Sequence, residues 1–239
     1  MKKAILFSLS LLILCVPGLA QKKTVNQKPA CTLRLDQSPE LRGLRMGMTQ
    51  AAVLARFPGV TIEKPDKFGL ARLRLSIIDT TAFIKSSARD KGVQPDMLAG
   101  AGEGSAFVID SSRFATLKGV RKIQMRLIDG HLAYLQITYD DQIKWESVDQ
   151  FIETISATLK LPKEWQVPED SDSAGQQKEL RCDGFVISAD MAGDSTDIHA
   201  GPELILQDPA AWNGMSKRQN DIVDKAKRDE DEKRKTFKP

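Results

Sequence analysis

The sequence is poor in the side chains that most often build metal sites and catalytic centres. Its 239 residues include only 3 cysteines and 2 histidines, and 6% of the residues are aromatic. His131 and His199 are far apart, no His-x-x-x-His pair occurs and the cysteines do not cluster, so a transition-metal site would need ligands from distant segments. We therefore expect no metal and no cofactor, and we expect that the protein is not an enzyme.

Long apolar runs and repeats are absent as well. No segment reaches the roughly 20 apolar residues that cross a bilayer as a helix, and neither a collagen-like glycine period nor a sustained heptad occurs. Because 41% of the residues are hydrophobic, wholesale disorder is excluded. The length allows one large domain or two small ones, with no integral membrane segment in the mature protein.

The first twenty residues have the pattern of a secretory signal peptide. Two lysines precede an apolar run over 4–16, and Gly18 and Ala20 supply the small side chains that a signal peptidase accepts. We predict cleavage between Ala20 and Gln21 and a periplasmic or secreted product, with an uncleaved anchor as the alternative. Cys15 lies in the apolar run, but Leu14 stands where a bacterial lipoprotein signal has a small residue, which disfavours lipidation.

The charge balance argues against a nucleic-acid-binding protein. The signal segment carries two lysines and no acidic residue, so its removal lowers the formal net charge from +3 to +1. A nearly neutral chain lacks the field that captures nucleic acid. Arg72 and Arg74, and likewise Arg121 and Lys122, are interpreted as ordinary strand exteriors that form neither a basic stripe nor a stacking ladder.

Cys31 and Cys182 are the two cysteines of the predicted mature chain. In an oxidising compartment an isolated pair favours a disulfide, and two reduced, buried thiols are the alternative. The disulfide would close a loop of about 150 residues and tie the first strand of the domain to a late one.

Hydrophobic alternation predicts an antiparallel sheet. The clearest feature is a hairpin in which strands Val120–Ile128 and His131–Tyr139 flank an Asp129-Gly130 turn. Further strands are predicted at 32–36, 69–78, 106–110, 178–190 with a turn near Gly184, and 201–208. Residues 86–106 form a loop or insertion that is too long for a routine connection.

Two short helices are predicted from their caps. Thr49 caps a helix over 50–57 and Met48 begins its hydrophobic staple, while Ser147 and Gln150 have capping-box spacing for a helix over 147–159. The charged tail over 217–239 is either a solvated helix or disordered.

The lead-in to the first helix carries a family resemblance. Residues 43–49 read Gly-Leu-Arg-Met-Gly-Met-Thr, with Gly43, Gly47, Met48 and Thr49 as the helix-entry motif. This stretch resembles the lead motif of the SmpA/OmlA-type outer-membrane-assembly lipoproteins and of the β-lactamase-inhibitor-protein-like fold. The resemblance implies an α+β fold with a curved antiparallel sheet, two short helices packed on one face and a tandem α-β unit architecture. The second predicted helix has no Gly-Met-Thr element before it, and no functional residue is transferred.

These elements give a predicted domain organisation. A signal peptide covers 1–20 and a flexible leader 21–30. A single α+β domain covers 31–212, as two units over 31–140 and 141–212 with the insertion at 86–106. A charged tail covers 213–239.

The predicted function is a non-catalytic exported module that binds a protein or an envelope component, with its oligomeric state left open. Trp165 and Trp212 are candidate anchors on a binding surface, and core packing is their alternative role. Association through the charged tail alone is a plainer option.

A secreted hydrolase is the alternative from a different class. It would use residues around His199, where Asp194, Ser195 and Asp197 supply the side-chain types of a catalytic triad, or the 86–106 loop.

Overall fold

The computed structural model describes residues 31–78, 106–140, 144–168, 176–191 and 201–236. The predicted signal peptide with its predicted cleavage between Ala20 and Gln21, the predicted leader, residues 86–105 and the segment around His199 lie outside these residues. The predictions made for them stay predictions. The helices and strands are α1 (Gln50–Arg56), β1 (Leu70–Ile78), β2 (Ala106–Asp110), β3 (Val120–Ile128), β4 (His131–Tyr139), α2 (Val148–Leu159), β5 (Gln177–Arg181), β6 (Val186–Asp190), β7 (Glu203–Gln207) and α3 (Pro209–Thr236).

The described strands form one seven-stranded sheet, and the described chain also contains helices. The predicted α+β fold class is therefore confirmed. The strand order is β2-β1-β3-β4-β7-β6-β5. Every neighbouring pair is antiparallel except β1 and β2, which are parallel. The prediction of a wholly antiparallel sheet is therefore wrong. Residues 79–105 separate β1 from β2, which is long enough for the crossover that a parallel pair requires.

The predicted hairpin of β3 and β4 is confirmed, with its turn. Ile128 pairs with His131 across Asp129 and Gly130. Both turn residues have positive φ, 51° for Asp129 and 77° for Gly130. Positive φ at both central positions is what a type I′ turn needs, and its twist matches that of the two strands. The turn therefore sets the pairing beside it, while the register shifts at Arg126–Leu127 and again at Val120–Lys122.

Buried residues of the sheet and of two helices form the main core. Alternate residues of β1, β3, β4, β5, β6 and β7 are buried in a single cluster, which also includes Val53 of α1 and Phe151 and Ile152 of α2. A smaller cluster joins Leu70, Ile128 and Ala133 to Met215 of α3. Most of the apolar burial that stabilises the protein thus lies in the first cluster.

The helix-entry motif docks α1 by pairing with the start of β4. The N–H of Gly47 donates to the oxygen of Leu132 at 2.8 Å, and the N–H of Leu132 donates to the oxygen of Met48 at 2.8 Å. Gly47 has a φ of +78°, a conformation that favours glycine. Thr49 Oγ1 then accepts from the N–H of Ala52 at 3.3 Å, as a helix cap does.

Removing this cap gives a direct test of the predicted helix start. Thr49→Ala deletes the acceptor for the Ala52 N–H and should lower the free energy of unfolding by about 1 kcal/mol. Thr49→Ser keeps the hydroxyl and should cost much less. Urea unfolding of the three proteins measures both effects, and equal losses for serine and alanine would show that the methyl group matters rather than the cap.

The predicted strand at 32–36 is wrong. The chain there turns into a 3₁₀ segment, Leu35–Gln37, because the N–H groups of Gln37 and Ser38 bond back to residues three positions earlier. Cys31, just before this segment, lies at disulfide distance from Cys182, with their Cα atoms 4.5 Å apart. The predicted pairing of these two cysteines is therefore confirmed. The N–H of Cys31 also donates to the backbone oxygen of Arg181 at the end of β5, but residues 32–34 form no strand.

Helix α3 leaves the sheet after two turns. Ala211, Trp212 and Met215 pack on the smaller cluster, whereas residues 219–235 are exposed. This exposed part carries both acidic and basic side chains, and Glu230 pairs with Arg234 one turn later at 2.6 Å. The predicted charged tail is thus helical as far as residue 236, and the helix begins at Pro209, before residue 213, where the tail was predicted to start.

Candidate binding surface

Four cations share the sheet face opposite the main core. Side chains alternate between the two faces of a strand, so the residues between the buried apolar positions of β1 and β3 point to the other side. The pairing places Arg72 opposite Arg126 and Arg74 opposite Gln124. We call this group the basic patch; its members are Arg72, Arg74, Lys122 and Arg126.

The basic patch concentrates like charge. Directly opposite residues of an antiparallel pair have Cβ atoms about 4.5–5.5 Å apart, and two cations in that relation repel each other. Among the described residues, no acidic side chain forms an ion pair with any of the four. The patch therefore holds positive charge that its own strands leave uncompensated, and an anion would relieve the repulsion.

The pKa of Asp66 is affected by a cation of the patch. Its carboxylate accepts the N–H groups of Leu70 and Phe68 at 2.9 and 2.8 Å. The bond from Leu70 is the main cause that lowers the pKa of Asp66, and the Arg72 charge adds to the lowering. Asp66 forms no ion pair with Arg72 among the described contacts, so it offsets the charge of the patch only by attraction at longer range.

Arg126 is held between two aromatic rings. Its Cζ lies 4.8 Å from the Tyr134 ring centre and 5.5 Å from that of Trp212. These two rings meet edge to face with centres 6.4 Å apart. Burial raises the pKa of the Tyr134 hydroxyl, and the Arg126 charge opposes that rise. The contacts fix the guanidinium in place, which reduces the entropy lost when a partner binds.

A hydrogen-bond network stiffens the sheet beside the patch. The Tyr134 hydroxyl donates to Gln136 Oε1 at 2.7 Å, and Gln136 Nε2 donates to Glu203 Oε2 at 2.6 Å. Thr138 Oγ1 donates to the other oxygen of Glu203 at 2.8 Å. Glu203 is buried, so its negative charge is satisfied inside the sheet rather than by the basic patch.

The two predicted tryptophan anchors lie in different environments. Trp165 is only 8% exposed, and its ring N–H donates to the oxygen of Pro162 at 2.9 Å. It therefore packs in the core, which was the alternative to the predicted role as an anchor on a binding surface. Trp212 is half-buried and borders the basic patch through Arg126, so its role at a binding surface stays a prediction.

His131 is the one histidine among the described residues. His131 is exposed, and its Nδ1 lies 3.0 Å from the backbone oxygen of Asp129. In the five described ranges, no group of three or more histidine, cysteine and acidic side chains is arranged to hold a metal ion. None of the described helices is both long and apolar enough to cross a membrane. His199, Asp194, Ser195 and Asp197 lie outside the described residues, so the hydrolase alternative is untested.

Comparison of the chain with protein families, curated proteins and solved structures found no match. The resemblance noted in the sequence therefore rests on the helix-entry motif alone.

Sequence reasoning missed the basic patch. Arg72 and Arg74 lie on the exterior of β1, as predicted, but the sequence did not show that β1 and β3 pair and bring them beside Lys122 and Arg126. Arg121 falls where the register between β3 and β4 shifts. The one signal in the sequence was the alternation of cations with apolar residues in two segments, but their pairing joins residues far apart in the chain.

Proposed function

We propose that this protein is a non-catalytic exported module that binds an acidic surface of another protein or envelope component through the basic patch. The observation that carries the proposal is the group of four cations on the paired strands β1 and β3. Among the described residues, no acidic side chain forms an ion pair with any of these cations. Uncompensated charge of one sign steers a partner of the opposite sign and fixes its orientation.

Rigidity supports binding at this face. The patch lies on strands whose other side is packed in the main core, and Arg126 is clamped by Tyr134 and Trp212. A surface whose side chains are already ordered loses less entropy on association than a mobile loop does. Trp212, at the border of the patch, would add apolar contact next to the cations.

Export is part of the same proposal. The pattern of residues 1–20 supports a cleaved signal peptide, and disulfides persist in oxidising compartments rather than in the cytosol. The disulfide distance between Cys31 and Cys182 agrees with a periplasmic or secreted location.

The finer architecture is proposed as two tandem α-β units with α1 and α2 on one face of a curved sheet. Strand order supports this division, because β1 to β4 are contiguous in the sheet and β5 to β7 follow as a second block. Side chains of both α1 and α2 enter the same core cluster. The docking of residues 47–50 against β4 supports a lead motif of the kind found in the families that the sequence resembles.

Neutralising the patch tests the proposed function. Arg74→Ser with Lys122→Ser removes two cations for which the described part of the chain provides no aromatic contact, so the fold should be retained. Capture of a saturable partner from envelope extract by the tagged mature chain should fall about tenfold, the loss expected for roughly 1.4 kcal/mol of interface electrostatics.

The control pair removes the same charge elsewhere. Arg56→Ser with Lys118→Ser changes two exposed cations outside the patch and should leave capture at the wild-type level. Equal capture by wild type and by the patch variant would contradict the proposed function.

A further inference from the structure

A groove lined by aromatic side chains lies between residues 40–42 and α2, apart from the basic patch. Its volume is about 360 Å³, within the range of sites that hold small molecules. We call it the aromatic groove; the lining residues used below are Glu40, Arg42, Tyr139, Trp145, Phe151 and Ile155.

Three aromatic rings pack against one another in the groove. The ring centres of Tyr139 and Phe151 are 5.8 Å apart, and those of Trp145 and Phe151 are 5.2 Å apart, both edge to face. Phe151 is buried, whereas Trp145 is half-buried. The indole nitrogen of Trp145 has no hydrogen-bond partner among the described residues. Tyr139 and Phe151 are buried, so the half-buried Trp145, together with Ile155 from α2, offers most of the apolar surface that a flat, apolar ligand could contact.

A cation is held over this apolar surface by an unusual turn. Leu41 and Leu44 exchange two backbone hydrogen bonds of 2.8 and 2.9 Å around Arg42 and Gly43. Both central residues have positive φ, +57° for Arg42 and +85° for Gly43. Such a turn favours asparagine, aspartate or glycine at its first central position, so arginine is there against the local preference.

Arg42 brings a positive charge to the Tyr139 ring. Its Cζ lies 5.5 Å from the Tyr139 ring centre, and its Nη1 donates to the oxygen of Thr116 at 3.0 Å. Burial raises the pKa of the Tyr139 hydroxyl, and the charge and hydrogen bond of Arg42 oppose the rise. A guanidinium has five N–H donors arranged to bind a carboxylate with two parallel hydrogen bonds.

We propose that the aromatic groove binds a small carboxylate with a flat apolar body. The apolar body would lie against Trp145 and Ile155, and the carboxylate would pair with Arg42. The acid on the same rim, Glu40, has its carboxylate 3.9 Å from Arg45, so it is already directed to another cation. The groove thus differs in place and in ligand from the protein-binding basic patch.

Two matched probes test the ligand class. 2-Naphthoate and 2-naphthamide have the same ring system, and only the former carries a negative charge at neutral pH. Isothermal titration should show saturable binding of naphthoate to the wild-type mature protein, about tenfold tighter than naphthamide, as one charge-assisted hydrogen bond predicts. Equal affinities for the two probes, or no saturable naphthoate binding up to about 10 mM, would overturn the proposal.

Arg42→Asn tests the assigned cation without straining the turn. Asparagine suits positive φ, so the variant should fold, and it should bind naphthoate about tenfold more weakly while binding naphthamide as before. Lys160→Asn is the matched control, because Lys160 also has a φ of +57° and carries one positive charge but does not line the groove. Unchanged naphthoate affinity in Arg42→Asn would refute the role of Arg42.

The two proposals fail separately. Arg74→Ser with Lys122→Ser should leave naphthoate binding unchanged, and Arg42→Asn should leave partner capture unchanged. Loss of naphthoate binding in the patch variant would contradict the independence of the groove.

Discussion

Replacing both Cys31 and Cys182 by serine should lower the free energy of unfolding by about 4–5 kcal/mol. The two residues are 151 positions apart, and a disulfide that closes so long a loop removes much of the conformational entropy of the unfolded chain. In the folded protein the pair joins the start of the described chain to the β5–β6 hairpin.

Reductant provides the internal control for this prediction. Urea unfolding of wild type should shift to the stability of the double variant when reductant is added, while the double variant should not respond. A wild type whose stability is the same with and without reductant would show that the disulfide contributes nothing in solution.

Truncating Phe185 to alanine should lower the free energy of unfolding by about 3–5 kcal/mol, the cost of lost burial and of the remaining cavity for Phe→Ala changes at fully buried sites. Phe185 follows the β5–β6 turn and is fully buried in the main core. Phe185→Leu keeps most of the volume and should cost less than half as much.

The same urea experiment measures this effect, with Phe68→Ala as a comparison. Phe68 is half-buried and packs on the smaller cluster, so its truncation should cost clearly less. If Phe185→Ala cost no more than Phe68→Ala, the main core would not be the chief source of stability.

Features fixed by nearby residues were predictable from the sequence. The β3–β4 hairpin follows from Asp129 and Gly130, which accept positive φ at adjacent positions. Helix α2 begins where Ser147 accepts the N–H of Gln150, although the Gln150 side chain accepts from Glu146 rather than completing the predicted reciprocal bond. In each case the deciding interactions span only a few residues.

Features fixed by distant pairing were not predictable. Alternation indicates that residues 106–110 form a strand, but not that this strand runs parallel to β1 across residues 79–105. It also suggests a strand at 32–36, where short-range backbone bonds form a 3₁₀ turn instead.

The two proposed sites illustrate the same limit. The basic patch joins β1 to β3, and the aromatic groove joins the Arg42 turn to Tyr139 and α2. Periodicity tells which face of a strand a residue occupies, but the sheet register and helix packing decide which residues become neighbours.

Site-specific photo-crosslinking tests the central claim, binding through the outer sheet face, most directly. A photoreactive residue in place of Gln124 lies opposite Arg74 in the patch, and the same replacement of Gln219 places it on the exposed part of α3. We predict an adduct with a partner from position 124 in envelope extract, lost when Arg74 and Lys122 are changed to serine. Adducts from position 219 alone, or none from position 124, would contradict the account.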